Sequence, residues 1–340
     1  MIKHLSMKPT GWFQIGWSAE IPPGAVRPLK YFGQDLVAFR SAQGELSVLD
    51  AHCPHMGAHL GHGGIVVGDR IQCPYHGWQW DLDGANQLVP QHPTPMRKRI
   101  RKWTVVERHE CMFLWHDPAG EPPREGWDLP DLFALPDLPA DPDDFYPSHV
   151  NQATVYAPGE RIHVQAVVEN AADSAHFRFS HGAPIDPVLL WFNADSPVWR
   201  SSIGFKSPKS GEVVLRTVTY MPGVGLSFTV FDHPGFARRL VLSCTPIDDH
   251  TSDLRVTYFF PRDPQSPEVM PQRIKDAARE AQVFYEQDAR IWRHQKFVQR
   301  PLFAPQDAAG YTALRRWSNQ FYELAGAPRG PMQVVDGEPE

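Results

Sequence analysis

Two short motifs constrain this chain more than any other feature: Cys53-Pro54-His55 and Cys73-Pro74-Tyr75-His76, separated by seventeen residues. They use two of only four cysteines in 340 residues. Cys53, His55, Cys73 and His76 are soft or borderline ligands on two Pro-containing loops, enough for one closed metal site. Two donor chemistries fit. One is structural zinc held as Cys2His2. The other is a 2Fe-2S cluster in which two cysteines hold one iron and two histidines the other. The surroundings favour iron: Gly77 turns the second loop, Trp78 and Trp80 can shield a cluster, and both loops lie between strand-like runs, whereas a zinc finger places its histidines on a helix. His52, His59 and His62 read as loop or surface residues, and Cys111 and Cys244, within strand-like runs, as small core residues.

The length suggests two domains. A net charge of −6 argues against wholesale binding to nucleic acid or an anionic membrane and leaves small molecules and proteins as partners. The opening MIKHLSMKPTGWF lacks an apolar core of signal-peptide length, and no run of 18 apolar residues occurs, so the expectation is a cytoplasmic enzyme with no membrane span. In that compartment thiols stay reduced and paired Cys/His motifs signify metal more often than disulfide.

The spacing predicts an α+β protein. Short β-rich runs (LVAFR, LSVLD, TVVER, CMFLWHD) separated by Gly, Pro and Asp turns imply an all-β domain over residues 1–117. A Pro-rich, acidic junction at 118–147 cannot hold a regular element. The second domain, 148–325, is expected to open with a helix from about Glu160 to Phe179. Antiparallel strands follow from about Pro197 to Pro261, then a helix from about Pro267 to Val298. Residues 326–340 read as a tail.

The first of these helices carries Asn170, Asp173, His176 and His181 as NxxDxxHxxxxH. Asp173 and His176, three apart, share a helical face. Five residues advance an ideal helix by about 500°, which puts His181 about 140° from His176. Joint ligation therefore predicts that the helix loosens or ends between Phe177 and Ser180. Surface histidines at a helix terminus are the alternative. The long second helix has an apolar stripe at Ile274, Ala277, Ala278, Ala281, Phe284, Tyr285, Ile291 and Trp292, with Asp288 in its middle and Asp276 and Glu280 outside it. A carboxylate among such residues needs a partner. Either it completes a two-His, one-carboxylate iron site with His176 and His181, or it pairs with a base such as Arg293.

With both constellations in view, the chain resembles the oxygenase component of Rieske non-heme iron oxygenases. Respiratory Rieske proteins usually carry a further cysteine in each ligand loop, and neither loop has one here. The tail EQDARIWRHQKFVQRPLFAPQDAAGYTALRRWSNQFY is most similar to the 3-ketosteroid 9α-hydroxylase oxygenase and cholesterol desaturase group, although Glu169 stands where those hydroxylases tend to have Asp. The resemblance implies a Rieske β-domain followed by a helix-grip catalytic domain, and a 2Fe-2S cluster plus mononuclear Fe(II) held by His176, His181 and Asp288. It also implies that Asp173 links His176 to His76 of the partner subunit in a homotrimer, with Asn170 close to the iron. Implied partners are an NAD(P)H-dependent ferredoxin reductase, with or without a ferredoxin, an organic substrate and O2. The expected activity is hydroxylation of a bulky, steroid-like substrate. O- or N-demethylation and aromatic-ring oxygenation are the alternatives within the family, and a Rieske electron carrier or a zinc-stabilised binding module the alternatives outside it. Leu226, Phe228, Val230 and Phe231 are expected to make the pocket apolar. The basic run MRKRIRKW, Met96–Trp103, reads as a docking site for an acidic electron donor or as a solvated strand face.

Overall fold

Runs of β-branched and aromatic residues cut by Gly, Pro and Asp become strands throughout the first third of the chain. The computed structural model describes residues 5–148, 154–233 and 237–322. The first strands are β1 (Gly11–Trp17), β2 (Val26–Tyr31), β3 (Gln34–Arg40), β4 (Leu46–Asp50) and β5 (Ile65–Val67). They continue with β6 (Arg70–Gln72), β7 (Gln79–Asp81), β8 (Asn86–Leu88), β9 (Val105–Arg108) and β10 (Cys111–His116). Antiparallel pairing gives three small sheets, ordered β1-β10-β9, β2-β3-β4 and β5-β6-β7-β8. The three-residue strands of the last sheet bury Ile71 and Trp80 and flank the second Cys/His loop, while the first loop runs from β4 to β5.

The junction has no strand and only a single 3-10 turn at Pro142–Asp144, yet it is not a loose linker. Trp127, Leu129, Leu132, Phe133 and Leu135 are buried in the same core as the second domain's sheet. Trp12 Nε1 donates to Trp127 O at 2.8 Å, tying this strap to β1. Burial of five large apolar side chains outweighs the absence of regular hydrogen bonding.

The second domain is α+β as expected. It comprises β11 (Thr154–Glu160), α1 (Val164–Glu169), α2 (His176–His181), β12 (Val188–Asn193), β13 (Trp199–Lys206) and β14 (Val213–Gly223). Then come β15 (Leu226–Asp232), β16 (Arg238–Pro246), β17 (Ser252–Phe259), α3 (Gln272–Trp292) and α4 (Ala308–Ser318). β12 to β17 follow one another across an antiparallel sheet, and β11 adds to the far edge on β17. The expected tail at 326–340 lies outside the described residues. No helix among those described is long and apolar enough to cross a membrane.

The single helix expected from Glu160 to Phe179 is instead strand, helix, turn, helix. Glu160 ends β11, and α1 starts only after His163, whose side chain accepts from Gln165 N at 3.0 Å. Residues 170–175 are non-helical because Asp173 Oδ1 takes the backbone N–H of His176 at 3.1 Å, a local bond that competes with the helical ladder. The long helix is shorter than expected, Gln272–Trp292, with Pro271 at its N-cap. Its buried stripe is Ile274, Ala278, Ala281, Tyr285, Ala289 and Trp292, whereas Phe284 and Ile291 are 42% and 50% exposed. Ile291 lies six residues beyond Tyr285, about 240° round the helix, while Ala289 falls one turn on.

Hydrogen bonds join the domains. Gln14 N donates to Ser243 Oγ at 2.9 Å, Thr245 Oγ1 to Gln14 O at 2.6 Å, and Phe32 N to Pro246 O at 2.9 Å. Below them the buried Arg255 guanidinium reaches Asp253 at 3.2 Å and Tyr31 Oη at 2.8 Å, so the charge that the interface buries is paired.

Candidate metal centres and cavity

The two cysteine loops have the same backbone. Cys53 N donates to Ala58 O at 2.9 Å and Gly57 N to Cys53 O at 2.9 Å; Cys73 N donates to Trp78 O at 2.8 Å and Gly77 N to Cys73 O at 3.1 Å. Gly57 and Gly77 have φ of 74° and 72°, the left-handed conformation that glycine adopts without strain. Gly57 is thus the partner of Gly77, although the sequence reading singled out only the latter. Each loop closes over its own cysteine and projects a histidine beyond it.

The loops bring His55 and His76 together with ring centroids 4.6 Å apart, and Trp78 stacks on His55 at 4.6 Å. Cys53 and Cys73 are buried, His76 is half-buried and His55 exposed, so the thiols point inward and the imidazoles toward the surface. Burial, and next the neighbouring Cys73, raise the Cys53 thiol pKa, with a bond to its own loop backbone acting in the opposite sense. Two thiolates so close need a cation between them. His76 Nδ1 is buried and bonded to nothing, as a ligating nitrogen would be. This donor set fits a cluster with its cysteine end inside and its histidine end outward. His52, His59 and His62 touch one another and stay apart from these four, as a loop cluster. Cys111 and Cys244 are buried, with thiol pKa values pushed up to about 12 by burial, as expected of core residues.

The second constellation closes around α2. His176 opens this helix and His181 ends it, just before Gly182 at φ 69°. The break comes before His176, not between Phe177 and Ser180, and the two rings lie 5.3 Å apart. His176 Nδ1–H donates to Asp173 O at 2.9 Å, which leaves Nε2 buried and without a partner. His181 Nδ1–H donates to Gln287 Oε1 at 2.8 Å, and its Nε2 lies 3.1 Å from Asp288 Oδ1. Asn170 Nδ2 donates to Asp288 Oδ2 at 3.3 Å. Ligand atoms of His176, His181 and Asp288 all lie within 4.8 Å of one another, a span one ion can bridge. Burial lowers the His181 pKa, but its bonds to Asp288 and Gln287 outweigh this and raise it, so the pocket favours positive charge. Arg293 is not the partner of Asp288; it forms a two-pronged pair with Glu160 at 2.7 Å.

Three supporting residues escaped the sequence reading. Gln287 orients His181. Tyr311 on α4 acts on Asp173: burial of that carboxyl, which alone would raise its pKa, is overcome by His176 and then Tyr311, so the pKa falls. Arg315 holds Glu169 at 2.8 Å, locking α4 to the end of α1 beside Asn170. None of these carries a local signal, because each acts across more than 100 residues of chain.

Between the sheet and α3 lies a cavity of about 440 Å³, within the range of small-molecule sites. His176, His181, Asp288 and Asn170 form part of its wall, with Leu240, Leu242, Val256 and Phe284. The pocket residues expected on β15 are mostly on the wrong face. Leu226, Phe228 and Val230 point into the core behind the sheet, where Phe228 meets Phe113 at 6.0 Å. Alternation along the strand turns Ser227, Thr229 and Phe231 to the cavity. Only Phe231 of the four expected residues lines it.

The 3-Ketosteroid 9alpha-hydroxylase C-terminal domain matches residues 114–322, and the Rieske [2Fe-2S] domain residues 11–105. The chain is 31% identical to the 3-ketosteroid-9-alpha-monooxygenase oxygenase component of Rhodococcus rhodochrous, over 92% of this chain and 83% of the relative. It is 28% identical to cholesterol 7-desaturase nvd 1 of Ciona intestinalis, over 97% and 72%. In fold it is similar to dicamba monooxygenase bound to dicamba, with a TM-score of 0.66 and 18% identity over 94% of this chain and 98% of the other.

Proposed function

The chain belongs to the 3-ketosteroid 9α-hydroxylase family of Rieske oxygenases, and from that premise we propose that it hydroxylates a bulky, mostly apolar, steroid-like molecule. It is an oxidoreductase, the oxygenase component of a Rieske monooxygenase, and its cofactors are a Rieske 2Fe-2S cluster and mononuclear non-heme iron. The observation that carries the substrate reading is the 440 Å³ cavity, apolar over most of its wall, with two histidines and a carboxylate converging on it.

Cys53, His55, Cys73 and His76 would hold the cluster, and His176, His181 and Asp288 the iron. When bound, these groups supply electrons and the site of dioxygen activation, one oxygen atom passing to the substrate and the other leaving as water. The protein's own part is positional. Asp173 and Gln287 each fix an imidazole in the tautomer that presents Nε2 to the site. Asn170 steadies Asp288. Leu240, Leu242, Val256 and Phe231 exclude water and favour an apolar substrate carbon.

In a head-to-tail homotrimer, a ring that closes, Asp173 would join His176 to the partner subunit's His76. The donor is an NAD(P)H-dependent ferredoxin reductase, directly or through a ferredoxin. Arg97, Lys98 and Arg99 are exposed on an irregular segment, not a strand face, and would attract an acidic donor. Free, buried cysteines support a cytoplasmic setting. The test is reconstitution with a reductase and NADH, measuring oxygen uptake and products across steroids, methoxylated aromatics and N-methyl compounds. Coupled hydroxylation of a steroid is the expected result; formaldehyde release from a methylated compound, with every steroid inert, would replace the proposal with demethylation.

A further inference from the structure

Three arginines near the sheet are largely removed from water, and two are satisfied by protein. Arg255 is held by Asp253 and Tyr31. Arg239 donates to Leu132 O and Leu138 O, both at 2.5 Å. Arg238, next along β16, faces the opposite way and lines the cavity. Its Nε is buried without a hydrogen-bond partner, as are those of Arg239 and Arg255, but unlike theirs its terminal N–H groups have no hydrogen-bond or ion-pair partner among the described residues, the exposed Glu280 acting only from a distance. Its guanidinium lies over the Phe231 ring, 4.3 Å from the centroid.

We propose that Arg238 binds a carboxylate on the substrate, so that the molecule oxidised here is a bulky apolar acid and not a neutral ketone. The inference rests on the reading of this cavity as the substrate site. A cation largely removed from water, with only the exposed Glu280 carboxylate acting on it from α3, is poorly compensated, and an anion arriving inside the cavity improves on that. Burial lowers the Arg238 pKa, opposed by Tyr258 and Glu280, which is the expected sign for a cation poor in both water and partners. The contact with Phe231 places the guanidinium carbon over the ring and takes up none of its N–H groups, which stay available for a two-pronged carboxylate contact. Thr217, Thr219, Ser227 and Thr229 are neutral and could serve a hydroxyl or ketone, so they do not account for a charge in this wall.

The placement also bears on which carbon is oxidised. Tyr258, adjacent in charge to Arg238, donates its hydroxyl to Ala281 O at 3.1 Å, and Glu280 is the other group acting on Arg238. Arg238 therefore faces the Glu280–Ala281 turn of α3, and Asp288 follows about 12 Å along that helix at 1.5 Å per residue. An acid anchored at Arg238 would present a carbon several bonds away, across its ring system, to the metal site.

The test is equilibrium dialysis of the intact, metal-loaded protein with a steroid carboxylic acid, its methyl ester and a 3-ketosteroid lacking a carboxylate. The unaltered protein is expected to bind the acid about ten- to a hundredfold more tightly than the ester. Arg238→Leu should abolish that preference and Arg238→Lys keep part of it, with the Rieske absorption and iron content unchanged. Equal binding of acid and ester by the unaltered protein, failure of both to bind, or a preference that survives Arg238→Leu would overturn the assignment. Coupled hydroxylation of the neutral ketosteroid with no preference for acids would sink the Arg238 role and leave the oxygenase reading standing. Selective acid binding with no oxygenation of any bound compound would do the reverse.

Discussion

The two candidate metal centres are built on opposite principles. Cys53, His55, Cys73 and His76 lie within 24 consecutive residues, on two loops that repeat one hydrogen-bond pattern and each close on a left-handed glycine. His176, His181 and Asp288 come from two helices whose ligands are separated by more than a hundred residues. The first site is shaped by turns and rests on the small sheets of the first domain, its cysteines packed with Val37, Phe39, Leu49, Ile71 and Trp80. The second exists only where α2 packs against α3, and its ligands are aimed by side chains from other elements: Asn170, Gln287 and, through Asp173, Tyr311. A site made by turns can be changed one loop at a time, while a site made by packing is sensitive to anything that moves a helix.

That contrast can be broken by a double dissociation. His176→Ala or Asp288→Ala should empty the mononuclear site and reduce turnover by at least about a hundredfold, leaving the Rieske spectrum intact. Cys53→Ser should remove the cluster, visible as lost acid-labile sulfide and colour, while iron still binds at the second site. If either class of variant lost both metals, the sites would not be independently built.

A smaller effect is expected at Asp173. Asp173→Asn should retain both metals and slow turnover by about ten- to a hundredfold, because the main-chain oxygen that orients His176 stays in place and what is lost is the carboxylate proposed to couple the two centres. Tyr311→Phe should follow in the same direction by less. Single-turnover and multiple-turnover rates separate the cases, and near-full multiple turnover in Asp173→Asn would show that the group does not couple the centres.

The smallest effect concerns a histidine that is not a ligand. His116 Nδ1 bonds Pro9 O at 2.8 Å and its ring stacks on Phe32 at 4.0 Å; burial lowers its pKa from 6.5 to about 4. Below pH 6.5 the unfolded chain takes up a proton that the folded one refuses. This contribution to stability is therefore complete above pH 6.5 and lost as pH falls toward 4, by at most about 1.4 kcal/mol per pH unit. Denaturant titrations from pH 7 to 4 should show a shallower decline in His116→Gln than in the unaltered protein. An unchanged slope would mean that His116 is already protonated in the folded state.

Much of this was legible without coordinates. Runs rich in β-branched and aromatic residues between turn residues marked β3, β4, β9, β10 and β14 to β17, of which β10 and β17 are buried along their whole length, because that composition is written in adjacent residues. A helical break was expected between Phe177 and Ser180, but its true position before His176 did not show. NxxDxxHxxxxH looks continuous with the helix before it, and only the bond from His176 N to Asp173 reveals a fresh start at His176. β12 and α4 were also missed: β12 precedes the stretch read as strands from Pro197, and α4 lies in the segment read only for its family likeness.

The sequence by itself determined the donor atoms: a CxH and a CxxH motif, two histidines after an acid, and a carboxylate in an apolar stripe are chemical facts that no packing alters. Tertiary structure decided which faces meet. Period-two alternation divides β15 into Leu226, Phe228, Val230 and Ser227, Thr229, Phe231, but it cannot say which set faces the cavity, because the sheet is covered on both sides. In the same way Arg238 and Arg239 are neighbours of one type, and only the sheet's two faces make one a strut bonded to two carbonyls of the junction and the other a cation in the cavity wall.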